Sequence, residues 1–329
     1  MYYFLKFGGL RRKSVMKIMR KFVRKFVRKF VRKIVRKFVR KFVRKFERME
    51  VLKNGRKVVT IFLVMISFLS YLTTNAAGEF RIAGGRASGM SGISVALPDG
   101  WSAANNQAGG AFTRGIFCGV FFENRFLLRE LSNKTLVFSA NTRPGVFSVV
   151  FSHFGSTVYS ELKTGLGYAR KFGKNFSAGV QLDYYRFNTS GDYGTANLFD
   201  CEAGLLFWPL KQMSVGFHCL NPVPVKISES SGETLPALFR LGLCYWFTDD
   251  ILVSAEIEKG PESKARGKLA AECRFAGILY ARAGVSTGPF SLSIGAGIII
   301  SRICIDFATE YNQALGFSPA VSVQYQVRK

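Results

Sequence analysis

Two histidines and six cysteines are the residues of this 329-residue chain best suited to metal or nucleophilic chemistry, and their spacing offers them none. His153 and His218 stand in different segments with no Cys or carboxylate at metal-ligand distance along the chain, whereas zinc sites need clustered ligands. They read as structural residues, and neither a metal nor a cofactor is expected. Cys118, Cys201, Cys219, Cys244, Cys273 and Cys304 are scattered without any C-x-x-C. In an oxidising compartment they could pair, but Cys201, Cys219 and Cys273 share a parity with apolar neighbours and read as small hydrophobes. No G-x-S-x-G, Walker loop or dinucleotide fingerprint occurs, and Gly295-Ala296-Gly297 sits inside an alternating segment, where glycine serves close packing. Glu256 and Glu258 lie two residues apart, as an acid pair on one strand face would. The charges around them are balanced in sign, so ion pairing explains them better than catalysis. The chain reads as a non-enzyme.

The elements that hold these residues follow from charge and periodicity. Lys+Arg number 47 against 21 Asp+Glu, a net charge of +26. Residues 1–57 hold 23 of those cations and 2 of the acids, so the basic character belongs to the N-terminal segment and the remainder is nearly neutral. This excludes a nucleic-acid partner for the body of the chain. From Arg20 to Phe46 an Arg-Lys-Phe-Val unit repeats with period four, broken once at Ile34. At about 100° per residue the apolar pair drifts about 40° per repeat, so no fixed helical stripe forms, and the strand reading is not amphipathic either. Residues 1–48 are read as a low-complexity repeat upstream of the true start at Met49. The alternative is a basic arm that binds anionic lipid or nucleic acid.

From Met49, Lys53, Arg56 and Lys57 form a basic n-region, Val58–Leu72 an uncharged core, and Thr74-Asn75-Ala76 a small-residue cleavage pattern. This predicts a signal peptide over 49–76, its core being shorter than the roughly 20 residues of a membrane-spanning helix.

Beyond Ala76 the dominant signal is alternation with period two, punctuated by Gly, Asn, Asp, Ser and Pro. Phe176, Ala178, Val180, Leu182 and Tyr184 oppose Ser177, Gly179, Gln181 and Asp183. Phe290, Leu292, Ile294, Ala296 and Ile298 oppose Ser291, Ser293, Gly295 and Gly297. About fourteen such segments are predicted, near 116–124, 134–141, 145–154, 157–170, 174–187, 197–208, 211–220, 237–247, 250–259, 266–275, 277–286, 289–300, 302–311 and 319–327. Several reach the roughly 9–11 residues of a tilted transmembrane strand, and Tyr168, Tyr184, Phe207, Tyr245, Tyr311 and Tyr325 stand near segment ends as interfacial girdles would. An even number suits closure, which removes the unpaired edges that lipid cannot satisfy. The predicted class is an all-β transmembrane antiparallel barrel over 115–329. A secreted soluble β-sandwich acting as a binding module is the alternative. Val146–Phe154 is apolar on both parities and leaves its inward face unassigned.

On the polar parity stand Lys163, Arg240, Lys268, Arg274, Arg282 and Arg302, against Glu161, Asp183, Glu202, Glu256, Glu258, Glu272, Asp306 and Glu310. Facing lipid near the midplane, each Lys or Arg would cost roughly 2–4 kcal/mol, so these side chains are assigned to a wet lumen of mixed sign. A strongly ion-selective pore would show a constriction of one sign, which is not present in the sequence.

The stretch from Gly84 to Gly109 resembles the opening segment of PorV/PorQ-like outer-membrane proteins, relatives of the FadL-type fatty-acid transporters. Gly85, Arg86, Ala87, Gly89 and Met90 match the family's Gly-Ala-Arg-rich start, and Asn106, Gln107, Ala108 and Gly109 match its Asn-Pro-Ala-Gly, with Gln107 in place of Pro. The resemblance implies a fourteen-stranded barrel with residues 77–114 as a hatch in the lumen. It also implies the outer membrane of a Gram-negative bacterium, with outer-membrane lipid around the chain. The partner would be an apolar small molecule in transport, or a component of type IX protein secretion.

Overall fold

The computed structural model describes residues 81–327, apart from 191–193, 223–224, 227–233, 236 and 261–263. The signal peptide and the basic repeat predicted for 1–76 lie outside the described residues.

The alternating segments form strands because their apolar, β-branched and aromatic residues recur every second position, matching the pleat. Seven strands come first: β1 (Ile116–Asn124), β2 (Ser132–Asn141), β3 (Val146–Gly155), β4 (Tyr159–Phe172), β5 (Phe176–Thr189), β6 (Thr195–Leu210) and β7 (Met213–Leu220). A small ribbon of β8 (Val225–Lys226) and β9 (Thr234–Leu235) interrupts the meander. Seven more follow: β10 (Leu238–Thr248), β11 (Ile251–Lys259), β12 (Arg266–Phe275), β13 (Leu279–Ser286), β14 (Ser291–Ile300), β15 (Ile303–Asn312) and β16 (Gly316–Val327).

Each long strand pairs antiparallel with its neighbours, β7 pairs with β10 past the ribbon, and β1 pairs with β16 from Ile116↔Val327 to Glu123↔Ala320. The result is a closed antiparallel barrel of fourteen strands, as the alternation predicts, and one sheet closed on itself replaces the alternative of two packed sheets. No described helix is long and apolar enough to cross a membrane.

Register sets the two faces. Outward positions are apolar: Phe199, Ile294, Leu166 and Phe307 are 60–65% exposed. Inward positions are buried, among them Gln181, Asp183, Glu202, Ser293 and Asp306. The aromatic residues expected at interfaces all take the outward parity, and several pair with a neighbouring ring, as Tyr184 does with Phe199 and Tyr311 with Phe317.

The two ends of the barrel differ. At one, the connections are short (142–145, 173–175, 211–212, 249–250, 276–278 and 301–302), and both the first and last strand reach that end. At the other end stand 125–131, 190–194, 221–237 and 260–265 among others. In the longest of these, Leu235 of the ribbon packs on Tyr185, Phe187 and Leu198.

Barrel diameter grows with strand number, and fourteen strands enclose more space than their own side chains can fill. Residues 81–115 supply the difference with three one-turn helices, α1 (Gly85–Ser88), α2 (Ser102–Asn105) and α3 (Gln107–Gly110), joined by tight turns. The segment is nearly all buried and rich in Gly, Ala and Ser, so its backbone can lie close to the wall.

Candidate functional site

The interior is built where this segment meets the inward positions of the wall. Small inward residues receive its backbone: a Cβ on Gly284 would stand 2.7 Å from the Met90 carbonyl carbon, and one on Gly179 2.7 Å from the Ala108 nitrogen. Ser and Glu side chains of the wall then satisfy its polar groups. Gly85 N–H donates to Ser322 Oγ at 3.0 Å and Ser91 N–H to Ser293 Oγ at 2.6 Å. Ser94 and Val95 N–H both donate to Glu256 Oε2, at 2.9 and 3.0 Å, while Ser214 Oγ donates to the Ala96 carbonyl at 2.7 Å. A short irregular segment cannot satisfy its own backbone, so these wall side chains replace a ladder.

The motif residues read from the sequence lie along this seam. Gly85, Ala87, Gly89, Met90, Asn106, Gln107, Ala108 and Gly109 are buried, and Met90 packs with Ile93, Leu206 and Leu252. Asn106 caps α3, accepting from Ala108 N–H at 3.3 Å while its Nδ2 donates to the Val95 carbonyl at 2.6 Å. Gln107 is the first residue of α3, a position that favours proline, and its Nε2 donates to Glu202 Oε2 at 2.7 Å, a bond proline cannot make.

The inward charges gather into three clusters. Arg240, fully buried, bonds Glu256 Oε1 through Nε (3.2 Å) and Nη2 (2.8 Å), and reaches the segment at the Asn105 and Gly92 carbonyls and Ser94 Oγ. Lys268 bridges Glu256 and Glu258, at 3.4 and 2.6 Å. In the second cluster Arg86 forks onto Glu272 (2.9 and 2.6 Å) and reaches Asp99 at 3.2 Å. Arg282 ties the same Glu272 to Asp306 through two 2.6 Å bonds. Burial pushes the Asp99 carboxyl above its ordinary value, against the pull of Arg86. Burial works against the charge on Arg86 too, but Glu272 and Asp99 outweigh it and hold that guanidinium above its usual range. In the third cluster Lys163 pairs with Glu202 and, at 3.3 Å, with Asp183. His218 Nε2 lies 2.9 Å from Glu202 Oε2.

The remaining assigned charges are nearer the ends. Glu161 pairs with Arg81 at 2.7 Å, and Glu310 faces Arg266 at 3.5 Å. Arg274 bonds the exposed Asp250 at 2.7 Å on the short-turn rim. Arg302 departs from the sequence reading: β15 starts one residue later, which leaves Arg302 in the exposed turn 301–302. Arg81, Asp99 and Arg266 were not singled out from the sequence, since each lies outside or at the edge of an alternating run.

The interior is also lopsided. Inward residues of β1 to β3 include Phe117, Phe121, Val137 and Val150, and Trp101 packs on them with its ring 5.6 Å from Phe117 and 6.2 Å from Phe121. The charged clusters all stand on β4 to β7 and β10 to β15. At the long-loop end a cavity of about 490 Å³ remains. It is lined by Ile82, Ser91 and Gly92 of the plugging segment, by Phe126, Leu238 and Leu315, and by the charged residues Arg81, Glu123, Arg125, Glu258, Lys264, Arg266, Lys268 and Glu310, so its surface is mixed. Among the described residues no group of His, Cys, Asp and Glu is arranged to hold a metal ion.

Solved structures share this fold. The chain matches the CymD monoaromatic hydrocarbon channel with a TM-score of 0.62 at 12% identity, over 77% of this chain and 100% of that one. It matches a Pseudomonas aeruginosa FadL homologue (TM-score 0.58, 12% identity, 76% and 99%) and the Ralstonia pickettii toluene transporter TbuX (0.56, 12%, 76% and 100%). The fold is FadL-like. At such identities the likeness is one of fold, and no family model or curated protein matches the sequence.

Proposed function

We propose that this chain is an outer-membrane channel for small apolar molecules, monoaromatic hydrocarbons among them, in a Gram-negative bacterium. The carrying observation is the fold shared with hydrocarbon channels; the cavity of about 490 Å³ at the long-loop end, lined by apolar and charged side chains together, offers room for a small molecule. That size lies within the range of small-ligand pockets. The apolar exterior is suited to lipid, and long loops at one end with short turns at the other are the habit of outer-membrane barrels, the long loops facing outside. In this reading residues 49–76 direct export and residues 81–115 act as the hatch. The paired charges hold that hatch in place and perform no catalysis. The role in protein secretion implied by the PorV/PorQ resemblance has the hatch motif alone as its support, whereas the apolar-transport role has both the motif and the fold shared with hydrocarbon channels.

The test is accumulation of labelled toluene by Gram-negative cells lacking their own hydrocarbon channel, with and without the chain. Faster uptake is expected with it. Unchanged uptake, with the folded barrel shown in the outer-membrane fraction, would overturn the reading.

A further inference from the structure

The outward face carries a charge pattern that neither the plug nor the cavity explains. Along the barrel strands the charged residues of outward parity are Lys134, Arg170, Arg186 and the buried Lys259, all basic, while the inward parity mixes both signs. Lys134, Arg170 and Arg186 have no acidic partner among the described residues, and such cations at a lipid boundary are placed to meet anions from outside the protein.

Two of them stand in one row. Cross-strand pairing runs Lys134↔His153, His153↔Leu162, Leu162↔Arg186 and Arg186↔Asn197, a line across β2, β3, β4, β5 and β6 at the long-loop end. Strands lie about 4.8 Å apart, so three steps separate Lys134 from Arg186 by roughly 14 Å, with the His153 ring between them. Lys134, Arg186 and Asn197 are exposed or half-exposed, and Arg186 Nε is steadied by Asn188 Oδ1 at 3.3 Å. The next outward row on the same strands is Leu136, Phe151, Thr164, Tyr184 and Phe199. Polar donors therefore sit two residues, about 7 Å along the tilted strands, closer to the long-loop end than a mainly apolar and aromatic band. That is the vertical order of a lipid headgroup over its acyl chains. The opposite side of the same end, β12 to β16, has no outward charge among its described residues.

We propose that Lys134, His153 and Arg186 form a binding face for the phosphate groups of a phosphorylated, multiply acylated glycolipid in the outer leaflet. The proposal rests on the outer-membrane reading above, and its occupant is chosen by charge: basic donors at the headgroup level, apolar side chains directly beneath. Phosphate takes hydrogen bonds from Lys, Arg and His together, and two cations about 14 Å apart suit a headgroup with two separated phosphates.

The probe is purified lipid A, intact or enzymatically dephosphorylated, added to the full chain in detergent and read by native mass spectrometry. Wild-type protein is expected to retain intact lipid A about tenfold better than the dephosphorylated form, and the Lys134→Gln/Arg186→Gln variant to lose that preference. Arg170→Gln, at the short-turn end, is expected to keep it. Inorganic phosphate at millimolar concentration is expected not to displace the lipid, since it lacks the acyl chains. Equal retention of both lipids by wild type, or an unchanged preference in the double variant, overturns the proposal. Heat-modifiable migration on cold gels confirms that each variant is a folded barrel. Toluene uptake measured on the same variants separates the two readings. Lipid preference without uptake by wild type rejects only the transport function, and uptake without lipid preference rejects only the binding face.

Discussion

Gly89 of the hatch and Gly295 of β14 meet backbone to backbone: a Cβ built on either would stand 2.9 Å from the other's Cα. Only hydrogen occupies that gap, and no flexible side chain is there to yield. Gly295→Val is therefore expected to push the hatch off the wall at a cost of about 1–3 kcal/mol, leaving the strand pairing in place. Single-channel recording in planar bilayers checks this: the variant should pass ions in bursts where wild type is closed. A silent variant would mean that the hatch does not depend on this contact.

Arg240 reaches Glu256 and three groups of the hatch from a fully buried position. Arg240→Met keeps much of the volume but leaves Glu256 charged and short of a partner. Removing one member of a buried ion pair costs roughly 3–5 kcal/mol. The temperature at which the barrel converts to its slow-migrating gel form should fall markedly, and Arg240→Met/Glu256→Gln, which removes the charge but keeps an acceptor for the Ser94 and Val95 N–H groups, should recover part of the loss. No recovery in the double variant would show that the guanidinium acts through the hatch carbonyls instead.

Gln107 occupies the position where the resembled family carries proline. Gln107→Pro suits the first residue of α3 but removes the donor to Glu202 Oε2. The expected loss is about 1–2 kcal/mol of thermal stability. Gln107→Ala is expected to lose a similar amount, because both variants delete the same bond. A proline variant as stable as wild type would assign that bond no net value.

Alternation along β11 gives a test of the wall itself. Ile251, Val253, Ala255 and Ile257 face out, and Leu252, Ser254, Glu256 and Glu258 face in. Spin labels placed one at a time over 251–258 in lipid should show dissolved oxygen reaching the odd positions more than the even ones. A flat profile would contradict a membrane-spanning strand.

Much of this architecture is legible in the chain, and the failures have physical causes. The fourteen strands fall close to the fourteen alternating segments, because a wall between apolar and polar surroundings writes a period of two into the sequence. Val146–Phe154 blurs that rule because Val146, Val150 and Phe154 face inward, Val150 sharing a cluster with Trp101, while Phe147, Val149 and Phe151 face out. Arg302 has the inward parity yet lies in the turn, since parity says nothing about where a turn ends and a strand begins. The partners of the hatch were not legible at all. Gln107 with Glu202 and Ser91 with Ser293 are separated by 95 and 202 positions, and no local pattern encodes such meetings. His218 reads as structural in isolation, and only the register of the β6–β7 hairpin brings it to Glu202.

The seam between β1 and β16 makes the last strand made the one that completes the wall. Residues 81–115 precede every described strand, yet their bonding partners extend from β2 to β16. Once Ile116 meets Val327 the wall has no lateral gap, so a segment tethered to Ile116 can enter a finished tube only through its end. A filling laid down earlier would instead be enclosed as each hairpin arrives, gaining a few contacts at every step.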